Sequence, residues 1–467
     1  MKSIHKIIVN RIKYIFFLIN EKFNGDHIVK KLKKIDKIYS LKVKIKKLDN
    51  LSKKYPAHPM ITFNQATTNI SCENPKLGHE QIKNYDFIRD DWLKQNFTSS
   101  VYKNEFVPVC RVIGSFGNYR TLFYYLMNKI NSEERYKKPN LLLKDNEKIN
   151  NNTLYYYFKP YLNIIQNTSS FYKFKYLSEI FKTPIEIALP FNGSYYPWFA
   201  VENMSQQKIL SKKNLKFTKF NLSKEHFLKG KEILKKIGLP ENAWYATLHI
   251  REGAQNEKTF NSNPMTYLKS IKEIISRGGY VFRVGDKKMT KMPKIKGLID
   301  YPFTEFKSEF MDVFLGATCR FGIGTSSGYW TVPVYFGKPV LLVNYLPILD
   351  YYSLGEKNIF LGKHLKNKVT GEKISIEKLF NFNIGYFTCD DQFADNNIEI
   401  VDNDENEIWE STVEILNLLD NGKTQQEFTA LNLKFKEKID LQNEKIFDFP
   451  IKALANLSSA YLRKYIN

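Results

Sequence analysis

At 467 residues and 54.9 kDa, with 43% apolar and 25% charged residues, the chain is long enough for two substantial cores; its 22 Gly and 17 Pro leave little for flexible linkers. Wholesale disorder, a collagen-like repeat and a disulfide scaffold are excluded. Its 71 Lys and Arg against 48 Asp and Glu give +23 and call for an anionic partner, but residues 1–54 alone carry +12, so no nucleic-acid groove is expected through the mildly basic remainder.

Residues 1–55 read as a basic amphipathic leader. Ile7, Ile8, Ile12, Ile15, Phe16 and Ile19 fall on one helical stripe, with Lys2, Lys6, Lys13, Lys30, Lys31, Lys33 and Lys34 around them. Helices of this kind lie on anionic membrane surfaces or pack on a protein body. The apolar run Tyr14–Ile19 is far shorter than the roughly 20 residues of a membrane span, and no small-residue cleavage site follows it. Cys72, Cys110, Cys319 and Cys389 form no CxxC pair. The expectation is a cytoplasmic protein, peripheral on the inner membrane where the leader meets it.

From 56 to 222 the pattern predicts a first Rossmann-like domain. Phe106–Ile113 reads as a buried strand turned by Gly114-Ser-Phe-Gly117, then come a helix over Arg120–Ile130 and a strand over Asn140–Leu143. An amphipathic segment at 171–182 and a strand at Ile185–Leu189 follow, with 144–170 ambiguous. From 223 to 400 a second Rossmann-like domain is expected, its strands at 244–250, 280–285, 297–301, 319–324 and 339–344 alternating with helices. One helix spans 223–237 and stops at Gly238, one is capped by Asn263 with Pro264 at its first position, and one covers Ser308–Thr318. Residues 401–467 read as helices at Asp404–Leu419, Gln425–Asp440 and 451–465. Two adjacent parallel sheets would place a ligand cleft between their carboxyl ends.

Arginine is scarce, 10 of the 71 basic residues, so a retained Arg suggests a need for its planar fork. Arg111, Arg120, Arg251 and Arg283 fall at predicted strand ends or loops facing the cleft. His249 and Arg251 leave one strand on the same side and can converge on a diphosphate, unless Arg251 is a surface residue paired to Glu252. Arg283, Gly285 and Asp286 end the next strand. Gly324, Thr325, Ser326, Ser327 and Gly328 follow the fourth strand and are expected to open a helix near Tyr329, which suits a phosphate or an ordinary helix cap. Read as a dinucleotide fingerprint the segment fails, because the next strand ends in Asn344 without an acidic ribose ligand. Asp402 and Asp404 mimic a DxD metal site, but Asp404 with Glu407 is better read as a capping box. No HxxxH or HExxH occurs, so no metal site is expected.

The set His249-Ile-Arg251-Glu252-Gly253, Arg283-Val-Gly285-Asp286, Asp300-Tyr301, Lys307 to Asp312, Cys319 to Gly328, Gly337-Lys-Pro339 and Val343-Asn344 resembles a family of bacterial glycosyltransferases found among surface-polysaccharide genes. The likeness covers about residues 240–370, and its His-x-Arg element is similar to that of α1,6-fucosyltransferases and nodulation-factor fucosyltransferases. The resemblance implies a GT-B fold and a nucleotide-diphosphate sugar as substrate, GDP favoured, with no other cofactor. It implies a metal-independent enzyme in which Arg251 contacts the donor diphosphate, His249 and Glu252 serve catalysis and Asp312 joins the donor-binding set. Arg283 or Lys288 would help neutralise the leaving group, and Glu252, Glu202 and Glu305 are the candidate bases. Relatives carry Gly-His after the first strand; Gly114-Ser115 stands here, so that histidine is missing. The implied partners are the donor, a surface-glycan or lipid-linked acceptor and an anionic membrane, with no nucleic acid. A GT-B epimerase or hydrolase, or a noncatalytic basic protein binding membranes or nucleic acid, are the alternatives.

Overall fold

The computed structural model describes residues 113–131, 138–166, 218–253, 258–348, 357–375 and 390–422 almost without a break, and shorter stretches within 31–81, 106–107, 188–197, 378–387, 429–437 and 455–464. The apolar stripe of the leader at 7–19, the segment 171–182, Arg111 and Glu202 lie outside the described residues.

Helix α1 (Leu41–Lys54) buries Leu48, Leu51 and, just beyond its end, Tyr55 against α2 (Pro59–Cys72), with Leu32, Ile35 and Ile61 completing a small core. Lys46, Lys47, Lys53 and Lys54 remain on its exposed side. The apolar face of this helix is therefore used within the protein, and the hairpin spans the expected boundary at residue 55.

The next part contributes three parallel strands, β1 (Phe106–Val107), β2 (Asn140–Leu143) and β3 (Asn163–Gln166), in the order of the chain. Between them lie α3 (Asn118–Ile130) and α4 (Asn152–Phe158). Helix α4 and β3 occupy the stretch the sequence left ambiguous; Asn151 caps α4 by accepting from Leu154 N at 2.7 Å. Of the strand expected at 185–189, Ala188 and Leu189 are described and belong to β4 (Ala188–Phe191), which does not extend the parallel sheet. It pairs antiparallel with β5 (Ser194–Pro197), the two-residue connection at 192–193 being too short for a parallel crossover.

Ser223 caps α5 (Lys224–Ile237) and Gly238, at φ 89°, ends it as a left-handed residue, as the sequence predicts. A seven-stranded parallel sheet follows: β6 (Tyr245–His249), β7 (Tyr280–Val284), β8 (Leu298–Asp300), β9 (Phe321–Gly324), β10 (Val340–Tyr345), β11 (Ile359–Gly362) and, far along the chain, β14 (Asn456–Leu457). In space the order is β8-β7-β6-β9-β10-β11-β14, so the direction of strand addition reverses between β6 and β9. That reversal is the Rossmann switch point. Sequence reading placed a continuous helix at 451–465; instead Asn456 and Leu457 pair with β11, Asn432 supplies a side-chain acceptor to Leu457 N at 2.7 Å, and Ser458 caps a short helix over Ser459–Arg463. An antiparallel pair, β12 (His364–Asn367) with β13 (Ile398–Val401), lies apart from the main sheet.

Two cores flank the sheet. One joins Ala246, Leu248, Val281 and Ile323 to α6 (Leu268–Ser276), which follows a short 3-10 turn opened by Pro264, and to the helix Glu405–Asn421. The other joins Tyr245, Phe282 and Val284 to α5, to α7 (Glu309–Thr318) and to α8 (Thr331–Tyr335), and it continues without a break into α3 and α4 through Tyr119, Phe123, Leu154 and Phe158. The expected partition at residue 222 thus runs through one shared core. Polar contacts reinforce it: Asn151 Nδ2 donates to Glu309 O at 3.0 Å, Asn152 N to Glu309 Oε2 at 2.9 Å, and the Phe116 carbonyl accepts from Thr331 Oγ1 at 3.1 Å and Tyr335 OH at 2.9 Å. Gly117 meets Gly328 backbone to backbone, and a Cβ on Gly328 would fall on the Gly117 amide nitrogen. Gly328→Ala is therefore expected to lower stability by about 1–3 kcal/mol, the usual cost of overpacking, measured as a fall in the urea midpoint with an unchanged slope.

Candidate functional site

His249 ends β6 and Arg251 lies two residues beyond, at the carboxyl edge of the sheet where β6 and β9 part. Both reach the turn that leaves β9. The Arg251 amide donates to Thr325 Oγ1 at 2.9 Å, its Nη1 donates to the Ser326 carbonyl at 3.2 Å, and its guanidinium carbon lies 5.2 Å from the centre of the Phe260 ring. His249 Nδ1 is hydrogen-bonded to Ser327 Oγ at 2.7 Å, and its ring stacks on Tyr329 with centroids 5.7 Å apart. Burial, followed by the charges of Arg283 and Arg251, depresses the His249 imidazole to about 4, so the ring is neutral at physiological pH.

The turn Thr325–Gly328 does not open a helix long enough to carry a macrodipole. Helix α8 begins only at Thr331 and lasts five residues around Pro333, because Tyr329 is held between Phe116 and His249 and gives its hydroxyl hydrogen to the Asp312 carbonyl at 2.8 Å. The hydroxyls expected to meet a phosphate are engaged within the protein. Thr325 takes the Arg251 amide and Ser327 the imidazole, while Ser326 Oγ donates to Leu346 O at 3.1 Å and accepts from Leu346 N at 2.9 Å. Gly324 admits Trp330, whose Cβ would stand 2.6 Å from a Cβ at that position.

Glu252 is paired with Arg283, not with Arg251. Arg283 is 0% exposed; it donates to Glu252 Oε1, to Asp300 Oδ1 at 3.0 Å and to the Thr290 carbonyl at 2.6 Å. The carboxylates then hold the following loop, Glu252 Oε2 accepting from Thr290 N at 3.1 Å and Asp300 Oδ2 from Met292 N at 2.9 Å. This set of charge-assisted bonds from the two Nη atoms ties the ends of three adjacent strands, β6, β7 and β8, and offsets a buried charge within a parallel sheet. Gly285, at φ 149°, carries Met289 where a side chain would be, and Asp286 caps its own turn by accepting from Lys288 N at 2.7 Å on the exposed rim. Asp312 sits in the first turn of α7, ion-paired to Lys307; burial nevertheless raises its carboxyl above the ordinary range. Glu305 is exposed.

The structure thus brings His249, Arg251, Gly324, Thr325, Ser326, Ser327 and Gly328 together, and places Glu252, Arg283, Gly285 and Asp286 in the adjoining ion-paired loop. Asp312 reaches the group only through the Tyr329 hydroxyl on its carbonyl. Sequence reasoning passed over Phe116, Phe260 and Tyr329 as site residues. Phe260 lies in a segment without periodicity, tied at one end by Ser262 N to the Arg251 carbonyl at 3.0 Å. Arg120 belongs to the same neighbourhood, its guanidinium 5.3 Å from the Trp330 ring centre.

Asp402 and Asp404 are accounted for separately. Asp402 is ion-paired at 2.8 Å to the buried amine of Lys363, which burial lowers from its usual lysine value. Asp404 forms a full capping box with Glu407, whose carboxyl, although burial raises it, is held at about 2 by hydrogen bonds from His364 and Lys464. Among the described residues no group of three His, Cys, Asp or Glu side chains stands ready to hold a metal. No protein-family model matches the chain, and no curated protein matches it significantly.

Glu252→Gln leaves Arg283 with one carboxylate instead of two, and is expected to cost about 3 kcal/mol of stability, the lower end for breaking a buried pair, because Asp300 still holds the guanidinium. Chemical denaturation of the variant beside the wild type measures this.

Proposed function

We propose that the protein is a metal-independent GT-B glycosyltransferase, moving a sugar from a nucleotide-diphosphate donor, GDP favoured, to a surface-glycan or lipid-linked acceptor at the cytoplasmic face of a membrane. The observation that carries the reading is the seat of Arg251. It stands at the switch point of a parallel sheet in Rossmann order, where ligands of such sheets bind, and it is bonded to the 325–328 turn, whose Gly328 packs on Gly117 from the other half of the chain. No described helix is long and apolar enough to cross a membrane, which is compatible with a peripheral position.

In this reading the bond between the sugar's anomeric carbon and the diphosphate oxygen breaks as the acceptor oxygen approaches. The ring passes through an oxocarbenium-like state, and negative charge gathers on the departing diphosphate. Arg251 meets that charge with two parallel N–H donors, a geometry a lysine cannot present. Its orientation is set beforehand by the Ser326 carbonyl and the Phe260 ring, so little reorganisation accompanies the reaction. Neutral His249, fixed by Ser327, offers a hydrogen bond without adding a competing charge. Glu252 and Arg283, engaged with each other, serve by holding the 285–292 loop beside the site, which leaves the acceptor's proton to another carboxylate.

Arg251→Lys keeps the charge and loses the fork. It is expected to cost about 2–4 kcal/mol of transition-state stabilisation, of the order measured for an oxyanion donor, with little change in the melting curve. Turnover near the wild-type value would remove the assigned role. Thermal-shift titration against GDP, UDP, CMP and TDP tests the donor class: saturation at about 100 times the dissociation constant stabilises by roughly 2.7 kcal/mol. Sugar transfer is expected to persist in EDTA; loss of activity restored by Mn²⁺ would bring Asp402 and Asp404 back as ligands.

A further inference from the structure

Among the described residues seven large apolar side chains stand exposed, and three of them belong to α4 and the first turns of the neighbouring α5: Tyr156 at 51%, Phe227 at 43% and Leu228 at 57%. The Tyr156 ring lies 5.0 Å from that of His226, the residue just before the pair. The local framework is firm. Tyr157 OH and His226 Nδ1 are 2.6 Å apart, and His226 in turn meets Phe310 with ring centroids 5.3 Å apart. Single exposed apolar residues need no explanation, whereas the adjacent pair Phe227 and Leu228, with Tyr156 on the neighbouring helix and a rigid support beneath, does.

Lysines frame the set. Lys224, Leu228, Lys231 and Lys235 recur at helical spacing along the outer side of α5, with Lys159 beyond Tyr156 and Lys229 alongside, all exposed. The acidic residues there are Glu225 and Glu232, and Glu232 is paired at 3.0 Å with Lys236. Helix α5 leads directly into β6 and so runs antiparallel to it, which puts Phe227 and Leu228 toward the carboxyl edge of the sheet. That is the edge that carries Arg251.

We infer that this face docks on an anionic bilayer, with Leu228, Phe227 and Tyr156 entering the boundary between headgroups and acyl chains and the lysines meeting lipid phosphates. A nucleic acid or an acidic protein surface would use the lysines and give Phe227 and Leu228 nothing to enter; a bilayer accounts for both. The docking itself stands apart from the proposed function and rests on it only for its purpose, which is to present a lipid-linked acceptor to the edge where the donor sits.

The test uses the full chain and sucrose-loaded vesicles of phosphatidylcholine with or without phosphatidylglycerol. Wild-type protein is expected to co-sediment with the phosphatidylglycerol vesicles and not with the neutral ones. Phe227→Ser with Leu228→Ser is expected to reduce the partition coefficient at least about tenfold at every salt concentration, from the lost burial of two apolar side chains. Lys224→Glu with Lys231→Glu is expected to reduce both binding and its salt dependence. Lys46→Glu with Lys47→Glu on α1 separates any contribution of the leader. Wild-type protein that ignores phosphatidylglycerol, or a Phe227→Ser/Leu228→Ser variant that partitions like the wild type, overturns the proposal. So does self-association without lipid that the same variant abolishes, since that assigns the face to a second copy. Nucleoside-diphosphate binding is measured in parallel. Lost vesicle dependence with intact nucleotide binding sinks this inference alone, and the reverse result sinks the proposed function alone.

Discussion

The contact between Gly117 and Gly328 is the constraint on which the arrangement depends. Two stretches of backbone, one leaving the first strand region and one leaving β9, approach until a Cβ on Gly328 would fall 2.4 Å from the Gly117 amide nitrogen and one on Gly117 would press on the Gly328 Cα at 3.2 Å. That approach lets the Phe116 carbonyl accept from Thr331 and Tyr335, and seats Phe116 against the edge of Tyr329. Tyr329 in turn stacks on His249 and stops the 325–328 turn from winding into a helix. The conformation of the candidate site is thus set as much by the other half of the chain as by the sheet that bears it.

A second constraint acts from the opposite flank. Arg283 sits inside the sheet with a carboxylate from each neighbouring strand end, and these carboxylates also bind the amides of Thr290 and Met292. A charge in a region of low dielectric is costly to leave short of partners, so the ion-paired set holds the guanidinium and the loop it binds in one arrangement. Arg251 lies between these two fixed features, with Phe260 as its third wall.

The sheet of the second half was legible because its strands are short apolar runs divided by good punctuation: Ser223 and Gly238 around α5, Asn263 with Pro264, and Ser308 before α7 all do locally what their chemistry predicts. The small strand β14 was not legible, since Asn456 and Leu457 owe their extended form to β11 and to the side chain of Asn432, 25 residues away. The same holds for the site. That His249 and Arg251 belong together follows from strand alternation, but the capture of Glu252 by Arg283 depends on which strands lie side by side, and spacing along the chain does not encode that. The five-residue α8 was misjudged for a related reason: a run of Thr and Ser after glycine looks like a helix cap, and only the burial of Tyr329 decides otherwise.

The core that α3 and α4 share with α5, α7 and α8 bears on how the chain is made. During synthesis, Tyr119, Phe123, Leu154 and Phe158 leave the ribosome long before Phe314, Val332 and Tyr335, the residues that cover them. The earlier half therefore waits with an aromatic-rich surface open until more than a hundred further residues have been added. The shared core can close only after both halves have been made. In the interval before the later residues arrive, that face is the surface a holding chaperone would grip.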